Sequence, residues 1–165
     1  MRESRACPDS AGTGDALVPY AAQVFAQPLA TWERDGLKAA LHRVGLPSDD
    51  IDQDGPLFWR FERDDVPVGF AGLEVHGQDA LLRSLVTLPP VRLRGVGAAM
   101  VAKIETEAVA RSAKAIYLLT QDNTSFFAKL GYTACDRTRV PALIGTASPF
   151  AAPGAAAATV MMKQI

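Results

Sequence analysis

The chain has 165 residues, enough for one domain with a hydrophobic core and too few for two comfortable ones. Hydrophobic residues make up 48% of it and charged residues 21%, the balance of a globular protein and not of a disordered one. A formal net charge of −1 excludes the broad positive surface that grips nucleic acid or anionic lipid, so any anion site must be local.

Residues 1–14, MRESRACPDSAGTG, lack the apolar run of a signal peptide and read as a flexible leader, which leaves 15–165 as a single domain. The two cysteines, Cys7 and Cys135, form neither a disulfide framework nor a metal quartet, which points to no metal and to a reducing cytoplasm. LVPYAAQVFA, 17–26, is the first candidate strand. Pro28 then opens a helical stretch with Leu37, Leu41 and Val44 at helical spacing, closed by Gly45 and Pro47. A polar turn region follows over 48–56.

Leu57, Trp59 and Phe61 alternate as a strand, Asp64, Asp65 and Pro67 mark a turn, and Val68 to Val75 returns as the partner strand. Gly77-Gln78-Asp79 leads into ALLRSLVTL, 80–88, a third apolar run that stops at Pro89-Pro90. Met100, Val101, Ile104 and Ala108 then recur at three- and four-residue spacing and predict a helix. AIYLLT, 115–120, reads as a buried strand joined in parallel by that helical crossover. NTSFFAKLGY predicts a short helix stopped by Gly131, YTACD a strand, and AAATVMMKQI an edge or inserted strand. The uncharged stretch 140–162 is long enough to span a bilayer, but Pro141, Pro149 and Pro153 break the helix that lipid demands. This order of elements makes an α/β protein of α+β type, a mixed and mostly antiparallel sheet with helices on both faces.

Arg92-Leu93-Arg94-Gly95-Val96-Gly97 carries a strand into a helix. Glycine permits positive φ and close approach to the backbone, and a helix N-terminus favours an anion by roughly 0.3–1 kcal/mol, so the turn is built like a phosphate cradle. Gly97 is followed by Ala98, Ala99 and Met100, which fits neither the P-loop nor the dinucleotide fingerprint. An ordinary strand-to-helix turn with solvated arginines is the alternative.

The same six residues match the R-x-x-G-x-G/A coenzyme A motif of the GNAT N-acetyltransferases, and LLRSLVTLPPVRLRGVGAAM resembles that family's fourth strand, turn and third helix. FFAKLGY, 126–132, resembles its second motif, and the likeness extends over about 17–165. GLEVHG, YLLT and the segment from Pro141 to Lys163 resemble a small subgroup linked to arsenic resistance and related to arsinothricin and phosphinothricin acetyltransferases. APGAAAA stands where that subgroup carries Cys-Pro, a departure that weakens any arsenic chemistry.

The resemblance implies a sheet of about six to seven strands and acetyl-CoA as co-substrate. It implies pyrophosphate on the N–H groups of Arg94, Gly95, Val96, Gly97 and Ala98, with Arg92 or Arg94 as counter-charge. It further implies pantetheine pairing with Val86 and Leu88, an oxyanion donor near Leu88, and Thr120 where relatives carry a pantetheine asparagine; Asn123 reads as a helix cap. Glu74 is the first candidate base, with a solvent-facing strand residue as the alternative, and His76 the second, with a turn residue as the alternative. Phe127, counted among the coenzyme A contacts, occupies the position of the family's general-acid tyrosine, for which Tyr132 and Cys135 are possible substitutes. Arg83, a charge inside an apolar run, either binds a substrate carboxylate or phosphinate or pairs with a neighbour such as Glu74. The implied activity is acetylation of a small primary amine, with an amino-acid-like antibiotic or an arsenical as the narrower acceptor. A coenzyme A-binding regulator or pseudo-enzyme and a peptide or protein acetyltransferase are the alternatives, and pairing into a homodimer is left open.

Overall fold

The structure, a computed structural model, describes residues 23–89 and 95–165. Strand β1 (Phe25–Pro28) leads through a 3-10 turn into α1 (Arg34–Arg43), then β2 (Leu57–Arg63), β3 (Val66–His76) and β4 (Asp79–Thr87) run as two hairpins. Helix α2 (Val96–Ala110) crosses over to β5 (Ala115–Thr120), and α3 (Thr124–Lys129), β6 (Thr133–Ala134), α4 (Ala142–Gly145), α5 (Ser148–Ala151) and β7 (Thr159–Gln164) complete the order. The seven strands form one sheet in the order β1-β2-β3-β4-β5-β7-β6, in which only β4 and β5 run parallel.

The first strand is shifted from its predicted place. It shares only Phe25 and Ala26 with the expected run 17–26, of which 17–22 lies outside the described residues. Pro28 ends the strand instead of opening the helix, because its missing N–H is harmless at the end of an edge strand. The helix begins after a turn in which the Glu33 carboxylate accepts the Ala30 N–H at 2.9 Å. Leu37 and Leu41 are buried as expected, whereas Val44 caps the helix and stays exposed. Between β2 and β3, Asp64 and Asp65 both adopt positive φ, 51° and 61°, as a two-residue hairpin turn requires.

One face of the sheet carries Trp59, Phe61, Val68, Ala71, Leu73 and Leu82 and is covered by α2 through Met100, Val101, Ile104 and Ala108. The other face has two separate covers. Leu37 and Leu41 of α1 pack on Phe58, Phe70 and Val86, while Ile144 and Ala147 pack on Leu81, Tyr117 and Val160. The uncharged stretch 140–162 is thereby broken into two short helices, a 3-10 turn and most of β7. Among the described residues no helix is long and apolar enough to cross a membrane.

Strand β4 contains an extra residue. Phe70 faces Val86 but Gly72 faces Arg83, so two positions of β3 oppose three of β4, and Ser84 takes up the difference with φ 55°. The bend turns β4 away from β5: their pairing ends at Leu81↔Tyr117, although β4 continues to Thr87 and β5 to Thr120. A V-shaped gap therefore opens in the middle of the sheet, directly above the seam between the two covers of the second face.

Candidate active site

The gap exposes backbone in alternation. The Leu88 N–H donates to Val68 O at 2.9 Å, and Phe70↔Val86 shares that register, so Val86 and Leu88 both turn their peptide groups toward β3. Thr87, opposite Gly69, turns its N–H and C=O the other way, into the gap. This corrects the expectation that Val86 and Leu88 present backbone to a ligand, and of the N–H groups near Leu88 it leaves that of Thr87 facing the gap. The Val86 and Leu88 side chains pack toward α1.

At the open end of the gap, Gly95 precedes α2 in the left-handed region at φ 88°. Its carbonyl accepts the Ala99 N–H at 2.9 Å, which leaves the N–H groups of Val96, Gly97 and Ala98 without an intrahelical partner. These are the donors an anion meets at a helix N-terminus. Arg92 and Arg94 lie outside the described residues. Gly97 has a packing reason as well: a Cβ there would lie 3.2 Å from the Phe126 ring, so α3 braces the first turn of α2.

The second-motif residues divide. Thr120 is buried and its Oγ1 accepts the Asn123 N–H at 3.1 Å, while Asn123 holds the N-cap position of α3 without a side-chain capping bond. Phe127 is a core residue, edge-on to Phe126 at 5.0 Å and to Tyr132 at 5.8 Å. The Tyr132 hydroxyl donates to Glu105 Oε1 at 3.1 Å, and burial, with the Glu105 charge beside it, pushes the phenol far above its ordinary range. Such a group holds its proton, and its bond commits that proton to Glu105 of α2. Cys135 packs against the cluster around Tyr117 and Val160, and its thiol donates to Asp136 O at 3.4 Å.

Arg83 lies at the seam, its side chain only 4% exposed. Its Nη1 meets Glu74 Oε2 at 2.9 Å and its Nη2 meets Asp50 Oδ2 at 2.5 Å, so both ends of the fork are taken by internal carboxylates. The pairing with Glu74 foreseen from the sequence is present, and Asp50 is the addition. Gly72 makes the arrangement possible, because a Cβ there would stand 2.6 Å from the Phe58 ring, over which the guanidinium lies at 5.7 Å. Arg34 approaches the same ring at 5.4 Å and donates to Ile51 O at 2.7 Å. His76 Nε2 stands 3.7 Å from Glu74 Oε1, beyond hydrogen-bond reach. Asp50 Oδ1 and His76 Nε2 are buried and have no hydrogen-bond partner among the described residues. Asp50 sits in a polar turn with nothing local to distinguish it from Asp49, Asp52 or Asp54; only the approach of that turn to β4 singles it out.

The cover of the seam is continuous at one point, where Ser148 Oγ of α5 bonds Gln53 Oε1 of the 46–56 loop at 3.1 Å. The site thus has a backbone slot, a helix N-terminus at its mouth and a charged cluster below it.

A model of the acetyltransferase (GNAT) family matches residues 22–132. No curated protein sequence matches the chain. Among solved structures, N-acetylglutamate synthase from Neisseria gonorrhoeae, complexed with coenzyme A and N-acetyl-glutamate, is similar at TM-score 0.70 and 16% identity, over 86% of this chain and 35% of its own. This chain therefore spans about a third of that enzyme's length. Rv2747 from Mycobacterium tuberculosis, in complex with CoA and NLQ, is similar at TM-score 0.70 and 21% identity, over 86% of this chain and 99% of its own. An aminoglycoside 6'-N-acetyltransferase complexed with coenzyme A follows at TM-score 0.62 and 18% identity, over 85% and 96%. The sheet parted between β4 and β5, the glycine-led helix at its mouth and the family match over the same residues agree: the chain belongs to the GNAT family of acetyltransferases.

Proposed function

We propose that the protein is an acetyl-CoA-dependent N-acetyltransferase acting on the primary amine of a small molecule. The observation that carries this reading is the interior gap of the sheet, with Thr87 backbone on one wall and, at its mouth, the N–H groups of Val96, Gly97 and Ala98 that have no intrahelical partner. The amides of α2, with the arginines Arg92 and Arg94, would hold the pyrophosphate of coenzyme A. Thr87 would pair with the pantetheine arm as a replacement strand, and the Thr120 hydroxyl, whose oxygen already accepts from Asn123, has its proton left to donate. Acetyl-CoA supplies the activated acyl group; the protein has to position it and to receive a proton from the amine.

An aliphatic amine has an unperturbed pKa near 10.4, so a proton acceptor is needed near neutrality. Glu74 faces Leu81, four residues along β3 from Phe70, which is about 13 Å of strand. At that separation it serves the reacting nitrogen through water. A thiol that ionises near 8.5 leaves without full protonation, so the missing hydroxyl at Phe127 does not block transfer. That same phenylalanine favours a second reading, a coenzyme A-binding regulator without turnover. The neighbour complexed with N-acetyl-glutamate and the aminoglycoside 6'-N-acetyltransferase support a small acceptor over a peptide. An amino-acid-like antibiotic or an arsenical is the narrower possibility that the sequence resemblance raises.

The test is release of free coenzyme A from acetyl-CoA against a panel of amines and amino acids, phosphinothricin and arsinothricin included. Turnover of a free amine is expected. Tight acetyl-CoA binding without turnover would favour the regulator, and no binding would overturn both readings.

A further inference from the structure

The seam beneath the gap has unequal open valences. Arg83 turns one terminal nitrogen to Glu74 at 2.9 Å and the other to Asp50 at 2.5 Å, and its Nε approaches Ser84 Oγ at 3.4 Å. A substrate carboxylate would compete for it with two internal carboxylates. Asp50 keeps one oxygen, Oδ1, buried and without a partner among the described residues, on a side chain only 13% exposed. Glu74 Oε1 likewise has nothing nearer than His76 Nε2 at 3.7 Å. Arg34, over the same Phe58 ring, donates to Ile51 O through Nη1, keeps its Nε buried without a partner among the described residues and lines a cavity with Pro28, Leu57, Glu107 and Arg111. In the cluster two carboxylates face the one guanidinium of Arg83, and the carboxylate atoms left without a bond are Asp50 Oδ1 and Glu74 Oε1. A buried carboxylate oxygen without a donor is costly, and an ammonium brings three donors and the opposite charge.

We infer that Asp50 selects the acceptor by charge, so that the site takes an amine bearing a second ammonium, a diamine or polyamine, in preference to one bearing a carboxylate. The inference rests on the acetyltransferase reading and names the substrate class of that site. The reacting amine, which must be neutral to attack, lies near Thr87. The second, still charged, reaches down the seam past the bulge at Ser84 to Asp50 Oδ1. Arg83 orients Asp50 and does not itself touch the acceptor.

Three acceptors of one chain length read the terminal group directly: hexamethylenediamine, hexylamine and ω-aminohexanoate. The expected order in kcat/KM is the diamine first by at least about tenfold, consistent with a charge-assisted bond. In Asp50→Asn the amide oxygen can keep the bond to Arg83 while its NH2 replaces the open oxygen. The ratio of diamine to hexylamine kcat/KM should then fall to near one, through KM and not kcat, with acetyl-CoA affinity retained. Equal turnover of diamine and hexylamine by the unmodified protein overturns the inference without needing any variant. So does a preference for ω-aminohexanoate, which would return the selecting role to Arg83, or an Asp50→Asn protein that keeps the diamine preference. Failure to release coenzyme A with any amine would overturn the acetyltransferase reading itself, and the inference with it.

Discussion

At position 72 there is room for a hydrogen and nothing more, since a Cβ would meet the Phe58 ring at 2.6 Å and Arg83 Cγ at 3.1 Å. Gly72→Ala should lower stability by about 1–3 kcal/mol, read in urea denaturation, because ring and guanidinium must both move. Tyr132 gives a pH signature. In the unfolded chain its phenol ionises near 10, whereas in the folded protein burial and then Glu105 keep it protonated well above that. Below about pH 10 both states bind the proton and nothing changes; above it only the unfolded state loses it, so folded stability falls as pH rises. Thermal melts from pH 8 to 11 should show that decline blunted in Tyr132→Phe. Individual residues were unevenly legible. Arg83 declared itself as a charge in an apolar run, and Phe127 as a motif position without its hydroxyl. Asp50 did not, because its role comes from where a loop lands, and the pairing read onto Val86 and Leu88 fell one residue off because a one-residue alternation decides which peptide groups face the gap.

Among the elements, β4 carries the most consequence. Ser84 sits at φ 55° in a sequence, ALLRSLVTL, that holds neither glycine nor proline to announce a bulge. Strain of this kind is sparsely populated for residues with a Cβ, and it persists where surrounding structure enforces it. Ser84→Gly should therefore preserve or raise stability, by up to about 1 kcal/mol in a melting experiment, and Ser84→Val should lower it by about 1–3 kcal/mol. Deleting Ser84 removes the extra residue and with it the bend, while Val86 keeps its place opposite Phe70, so β4 can continue its pairing with β5 past Leu81 and close the gap. Acetyl-CoA binding, followed by calorimetry, should be lost. The helices and the hairpins were readable because apolar spacing and turn residues agree with the final packing. The start of β1 was not, since its alternation is poor and Pro28 suits a strand end as well as a helix start. The choice between edge and insertion for β7 was equally closed to sequence, because pairing partners on both sides, β5 and β6, belong to topology.

In the molecule as a whole, the second face of the sheet depends on the 140–158 segment, whose proline and alanine content gave no hint that it packs. Ile144 is fully buried there against Leu81 and Tyr117, and Ile144→Ala should cost about 2–5 kcal/mol and expose the seam, measurable as a lower melting temperature. The parted strands have one more effect. Most sheets loosen at their margins, where peptide groups lack neighbours; here comparable margins face each other across the centre. Amide hydrogen exchange in the absence of ligand should accordingly be quick at Thr87 while flanking β3 amides stay protected. A molecule that fills the gap mends the sheet from the middle, so its affinity is at the same time a contribution to the strength of the whole fold.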